Sequence, residues 1–176
     1  NHIWYAGSWF IKKKGYLPLH RGMKELDEGQ YNKTIDVEYA PTCCLLAKKE
    51  VFQDVGFMDE KYFVYFDDTD FSYRVWKDGR HRILYYPNVE FYHKVGSLTK
   101  SFEKSEKKVY RGDFFLQQNT KNHIYFLKKI GGVFSYVFIV WLFFKNNIRF
   151  IINPQIRKNI STWWLINKSY FQGLIK

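Results

Sequence analysis

Asp67, Asp68 and Asp70 fall within four residues of the stretch YFVYFDDTDFSYRVW, with aromatic side chains on both sides. A helix N-terminus uses one carboxylate as a cap, and its dipole favours acids in the first turn. Three carboxylates exceed what a cap needs, and neighbours repel unless a cation or a proton sits with them. Aromatic surroundings lower the local dielectric and raise a carboxyl pKa, which suits a general base. His93 stands 25 residues after Asp68, beyond one predicted helix and one predicted strand. A helix–strand–strand return can set a strand end beside a helix N-terminus. An imidazole among carboxylates there can ligate a divalent metal. Each piece also has a plain reading. The acids can simply start a helix, and His93 can be a hydrogen-bonded histidine at a strand end.

The elements that must position these residues are legible in outline. TDFSYRVWKDG predicts a helix capped by Asp67 or Asp68, with Phe71, Val75 and Trp76 on one face and Gly79 at its end. Thr42–Ala47 is a short apolar run that predicts a buried strand. KKEVFQDVG predicts a short helix with Val51, Phe52 and Val55 on one side and Gly56 at C′. HRILYYP predicts a strand stopped by Pro87, and VEFYHK a second strand ending in His93. Residues 1–33 predict a strand in HIWYAGSWFI, then an irregular loop punctuated by Gly15, Pro18, Gly22 and Gly29. His20 and Asp27, in LHRGMKELDEG, can face a substrate, but a surface loop is the plainer reading.

The chain has 176 residues, 46% apolar and 21% aromatic, enough for one core or one core plus an appendage. It begins with Asn1 and is read as part of a longer protein. Cys43 and Cys44 are adjacent, too close to bridge easily and without metal-finger spacing. They are expected as two small buried residues in a reducing compartment. No signal-peptide pattern is present.

The net charge of +11 is unevenly placed. Residues 1–113 carry 19 Lys/Arg against 17 Asp/Glu, whereas residues 114–176 carry nine Lys/Arg and no acid. Such a segment calls for an anionic partner, nucleic acid or membrane. The apolar run Val133–Phe144 decides for the membrane. Closed by Lys145, it would span only about 18 Å as a helix, against the ~20 residues a bilayer core needs. Extending it would place Lys145 and Arg149 inside the run. Helices lying in the interface are therefore expected, with Trp163, Trp164, Tyr170 and Phe171 at headgroup level. Nucleic-acid binding is not expected.

In order, the segments CCLLAKKEVFQDVGFMDE, YFDDTDFSYRVWKDG, RILYYP and YHKVGS, with IWYAGS upstream, resemble the C-terminal half of a family 2 glycosyltransferase. The members it resembles include bacterial rhamnosyl- and galactofuranosyltransferase-like enzymes. The likeness covers about residues 3–126. It implies an α/β chain with a partial GT-A fold, the nucleotide-diphospho-sugar transferase fold, lacking the N-terminal nucleotide-binding half. Residues 1–113 would form the acceptor and catalytic-base half, and residues 114–176 the helical membrane-associating tail.

The resemblance also assigns roles. Asp68 would be the base that deprotonates the acceptor hydroxyl, with Asp67 supporting it and Asp70 at the helix start or behind the site. His93 would complete the coordination of Mn²⁺ or Mg²⁺ on the donor diphosphate. Lys94 and Ser97, with Lys100, would fold over that diphosphate, and Thr42 would face the acceptor. Departures are visible: Asp67 replaces the usual Glu, Thr42–Cys43 replaces a common Gly, and Lys121 replaces a common Arg before Asn122. No DxD motif in a suitable context lies upstream of Asp68. The fragment alone is therefore expected to be inactive.

The expected function is inverting sugar transfer from a nucleotide-sugar donor to a saccharide or lipid-linked acceptor, in bacterial cell-surface polysaccharide synthesis. The expected location is cytoplasmic, peripheral at the inner face of the cell membrane, with a homo-oligomer left open. The alternative is a non-catalytic membrane or interaction module derived from such an enzyme.

Overall fold

The structure is a computed structural model describing residues 1–93 and 112–176, without the side chains of 155 and 156. Lys94, Ser97 and Lys100 lie outside the described residues. The described chain is mixed α/β, with two small antiparallel sheets and a helical C-terminal part. It divides into two compact units. The first holds the described residues of 1–63 and 67–93, and the second holds Val64–Phe66 and residues 112–176.

In the first unit, β1 (Ser8–Ile11) and β2 (Leu17–His20) form a hairpin, with Ser8 opposite His20 and Ile11 opposite Leu17. Lys12–Lys14 make a 3-10 turn closed by Gly15 at φ 68°, a left-handed conformation that glycine adopts without a Cβ clash. The irregular loop expected here is thus partly strand. Pro18 hid it, but in a two-stranded sheet every strand is an edge, where a missing N–H is tolerated. β3 (Ile35–Val37) pairs with β4 (Ile83–Tyr85), the strand predicted in HRILYYP. Both predicted helices form: α1 (Lys49–Val55), followed by Gly56 at φ 79°, and α2 (Asp67–Asp78), followed by Gly79 at φ 73°. Phe10, Val37, Tyr62, Phe71 and Val75 are among the residues of this unit's core. Burying each such side chain contributes roughly 1.5–3 kcal/mol.

Three local expectations fail. Thr42–Ala47 is not a buried strand: Thr42–Cys44 is an exposed 3-10 turn after Pro41, and Leu46 is 100% exposed. Pro41 has φ −74°, and its carbonyl accepts the Cys44 N–H at 3.3 Å, so the chain turns where a strand would run on. Cys43 and Cys44 are accordingly exposed rather than buried, and both are free thiols. Among the described residues, Val89–His93 of VEFYHK form no strand: β4 pairs with β3, and Val89, Phe91 and Tyr92 stay exposed. His93 lies in this irregular, exposed stretch.

The second unit consists of α3 (Asp113–Ile130), α4 (Gly132–Ile152), α5 (Pro154–Arg157) and α6 (Ile160–Ile175), with Val64–Phe66. Gln118, Asn122, Tyr125 and Phe126 of α3 are buried. Asn122 Nδ2 donates to the carbonyls of Val64 (2.8 Å) and Tyr65 (3.0 Å), and the Phe66 ring stacks on His123. Against α6, α3 comes very close at Gly173, where a Cβ would lie 2.4 Å from the Lys121 carbonyl oxygen. Ser169, one turn earlier, is fully buried. Small residues at four-residue spacing let two backbones approach.

Helices α4 and α6 run antiparallel. The Tyr170 hydroxyl donates to the Ile139 carbonyl at 3.1 Å, and at the other end Phe150 stacks on Trp163. Between them, Trp163 Nε1 donates to Asn147 Oδ1 (3.0 Å), Asn147 Nδ2 donates to Asn167 Oδ1 (3.1 Å), and Asn167 Nδ2 donates to the Trp163 carbonyl (3.0 Å). Contrary to expectation, Lys145 does not end α4. Its side chain points to solvent, with Nζ 4.6 Å from the Trp141 ring centroid, so the charge stays wet and the helix continues to Ile152. Pro154 supplies the real interruption.

Candidate acid–base site at the start of helix α2

The approach to α2 is strained. Phe63, Tyr65 and Phe66 have φ of 63°, 62° and 71°, a region that costs bulky L-residues about 1–3 kcal/mol each. From there the chain enters α2, which begins at Asp67, so Asp67 and Asp68 lie within its first turn and do not precede it as the expected cap. A second segment reaches them from the end of β3. Ser72 on α2 pins it: the Ala40 N–H donates to Ser72 Oγ at 3.2 Å, and the Ser72 hydroxyl donates back to the Ala40 carbonyl at 3.3 Å. Asp68 and Ser72 are one turn apart on one helix face. Tyr39, next to the pinned Ala40, therefore meets Asp68, and its hydroxyl donates to Asp68 Oδ2 at 2.8 Å. The Thr69 hydroxyl donates to Asp68 Oδ1 at 3.3 Å.

The electrostatics of Asp68 follow from this enclosure. The residue keeps part of its surface open, while its carboxyl group is largely enclosed. Burial raises its pKa above the ordinary carboxylate value, and the charge of Asp67 adds to the rise. Hydrogen bonds from Tyr39 and Thr69 oppose the rise. The Tyr39 phenol is in turn pushed far up, by burial first and the Asp68 charge second, so it stays protonated as a donor. Asp70 has a different task. It is 1% exposed and pairs with Arg74, Nε to Oδ2 at 2.9 Å, while Arg74 also donates to the carbonyls of Val55, Gly56 and Phe57.

A row of rings continues from Tyr39. His20 stacks on it with centroids 5.7 Å apart. Trp4 meets His20 edge-on at 5.1 Å and contacts His93 at 4.5 Å. The Tyr5 hydroxyl donates to the Tyr39 carbonyl at 2.7 Å, and its ring meets His20 at 90°. Burial lowers the His20 pKa. The structure thus sets Asp68 and His93 on one continuous chain of contacts, through Tyr39, His20 and Trp4. The surface-loop reading of His20 is corrected, whereas Asp27 does sit in an exposed turn and accepts the Gly29 N–H at 3.2 Å. Tyr39, Tyr5 and Trp4 were missed, because isolated aromatics carry no spacing signal. The exposed Thr42–Cys44 turn lies near Asp68 as well: the Cys43 thiol is raised by desolvation, then by Cys44, then by the Asp68 charge.

Among the described residues, no group of three or more His, Cys, Asp or Glu side chains is gathered for a metal ion. His93 makes ring contacts to Trp4 at 4.5 Å and Phe91 at 6.3 Å. Comparison with protein-family models, with curated proteins and with solved structures finds no match for the chain.

Proposed function

We propose that this chain is the acceptor-side part of an inverting GT-A glycosyltransferase, acting on a nucleotide-sugar donor and a saccharide or lipid-linked acceptor. The work would take place at the cytoplasmic face of a bacterial membrane, in cell-surface polysaccharide synthesis. One observation carries the reading: an enclosed Asp68 carboxyl of raised pKa, held by a tyrosine donor in the first turn of α2. Together with the ordered motifs around it, this favours a general base over a helix cap.

In the proposed reaction the acceptor hydroxyl gives its proton to Asp68 as its oxygen attacks the anomeric carbon. The bond from that carbon to the donor phosphate oxygen breaks on the opposite face, and the electron pair leaves with the nucleoside diphosphate. Tyr39 holds the Asp68 carboxylate in place, and Asp67 keeps it basic by repulsion. The exposed Thr42–Cys44 turn is where an acceptor would reach Asp68. Mn²⁺ or Mg²⁺, when bound, would neutralise charge on the leaving diphosphate with His93 as a ligand. Lys94 and Ser97 are proposed on the diphosphate side from the resemblance alone.

Transfer assays on the complete protein, with a panel of nucleotide sugars and lipid-linked saccharides, test the proposal. Asp68→Asn should lower turnover by about 10²–10⁴-fold while leaving donor binding unchanged. Full turnover in that variant would remove Asp68 as the base. His93→Ala should weaken the response to Mn²⁺, and an unchanged titration would remove His93 from the metal site. A second reading, a non-catalytic membrane or interaction module, is favoured by the apolar surface of α4. It predicts no transfer with any donor.

A further inference from the structure

We infer that α4 lies in the plane of an anionic lipid surface, with one face sunk to the acyl boundary. This goes beyond the glycosyl-transfer reading and does not depend on it. Val133, Val137, Val140, Phe144, Ile148 and Ile151 are each between 52% and 82% exposed. Their spacing of three and four residues puts them on one stripe of the helix, within an arc of about 80° at 100° per residue. Ser135, Phe138 and Ile139, on the other side, are buried. The helix thus turns an apolar face outward, the reverse of an ordinary surface helix.

Charge identifies the occupant. Residues 114–176 hold nine Lys/Arg and no acid. Lys145 and Arg149 follow one another at four-residue spacing, about 60° and 100° beyond the same edge of the stripe, and both are exposed. The Lys145 ammonium rests over Trp141, an arrangement suited to the headgroup boundary. A second copy of the chain would bring the same basic flank against itself, a repulsive match. A spanning orientation has the length, since the helix has 21 residues and is apolar enough to cross. It would, however, carry Lys145 to within one turn of the helix midpoint, in hydrocarbon. Lying in the interface plane keeps both charges at headgroup depth and the whole stripe in contact with acyl chains.

The test uses the full chain in a Cys43→Ser, Cys44→Ser background. Single spin labels are introduced at Val137→Cys, Val140→Cys, Phe144→Cys and Ile148→Cys. Accessibility to oxygen and to a water-soluble nickel chelate is measured on vesicles of phosphatidylcholine with and without phosphatidylglycerol. All four labels should report one common, shallow depth on the anionic vesicles. A depth that changes steadily along the helix would overturn the in-plane placement in favour of spanning. Unchanged accessibility on adding vesicles, or label–label coupling that grows with protein concentration in their absence, would overturn the lipid assignment. In the Ile148→Cys protein, adding Lys145→Gln and Arg149→Gln should weaken partitioning into anionic vesicles by on the order of tenfold and leave neutral vesicles unaffected. An equal loss on both vesicle types would overturn the charge argument.

Discussion

The Tyr39 hydroxyl donates to Asp68 Oδ2 at 2.8 Å, joining the end of β3 to the first turn of α2 across 29 residues. The bond works in two directions. The Asp68 charge helps keep Tyr39 protonated, and Tyr39 limits how far burial and Asp67 raise the Asp68 pKa. Tyr39→Phe removes the donor and leaves the enclosure. The Asp68 pKa should then rise further, and the acidic limb of the kcat–pH profile should move to higher pH. Folding stability should fall by roughly 1.5–3 kcal/mol, as for a lost hydrogen bond to a charged group. Measuring kcat against pH for wild type and Tyr39→Phe decides it: an unmoved limb would show that Tyr39 does not set the protonation of the base.

The raised Asp68 pKa also predicts a stability gain from removing the charge. Below the ordinary value of 3.8 the carboxyl is protonated folded and unfolded, and it costs nothing. As pH rises through 3.8, the unfolded chain ionises first, so stability drains until the folded pKa is passed. Above that the cost is constant. Asp68→Asn cannot ionise, and its amide oxygen can still accept from Tyr39. The variant should have a higher urea midpoint than wild type at neutral pH, with the gap closing toward pH 3. A constant gap at both pH values would place the effect in packing instead of charge.

Much of this site was legible in the sequence, for physical reasons that differ by residue. Asp67 and Asp68 announced themselves because a helix start and a repelling carboxylate pair are both local properties. Gly56 and Gly79 likewise mark the two helix ends, where positive φ is needed. Tyr39 was not legible, because its role depends on Ser72 pinning Ala40, a contact 32 residues long in sequence. Thr42–Ala47 misled because an apolar run predicts burial only when a partner covers it, and Leu46 has none of its surface covered. Lys145 misled in the opposite sense: a charge ends an apolar run on paper, but not a helix whose same face is open to solvent.

Asp70, the third acid of the cluster, predicts a structural defect when its partner is lost. Its carboxylate is buried against Arg74, whose guanidinium also donates to three carbonyls at and beyond the end of α1. Arg74→Ala would take the guanidinium from the buried Asp70 carboxylate, leaving the Tyr62 hydroxyl donating to it at 3.4 Å, and would leave those carbonyls without that donor. A loss of about 3–5 kcal/mol is expected. Arg74→Lys should recover only part of it, since an ammonium cannot span the same acceptors in one plane. Urea titrations of the two variants check the order. Equal stability of Arg74→Lys and wild type would show that charge alone matters.

The α3–α6 contact gives a prediction in which two effects oppose each other. Replacing Gly173 by Ala favours helix formation by about 1 kcal/mol in an open helix. Here the new Cβ would lie 2.4 Å from the Lys121 carbonyl oxygen and 2.7 Å from Ile124 Cβ. Neither atom can swing aside by a rotamer change, so the helices must separate and the buried Ser169 face must loosen with them. Overpacking of this kind costs about 1–3 kcal/mol, enough to outweigh the propensity gain. Gly173→Ala should therefore lower stability, while Ser161→Ala at an exposed position of the same helix should leave it unchanged or slightly higher. Amide hydrogen exchange across α3 and α6 supplies the readout. Faster exchange on both helices in Gly173→Ala supports the close approach, and slower exchange would show that the two backbones are not in contact at this point.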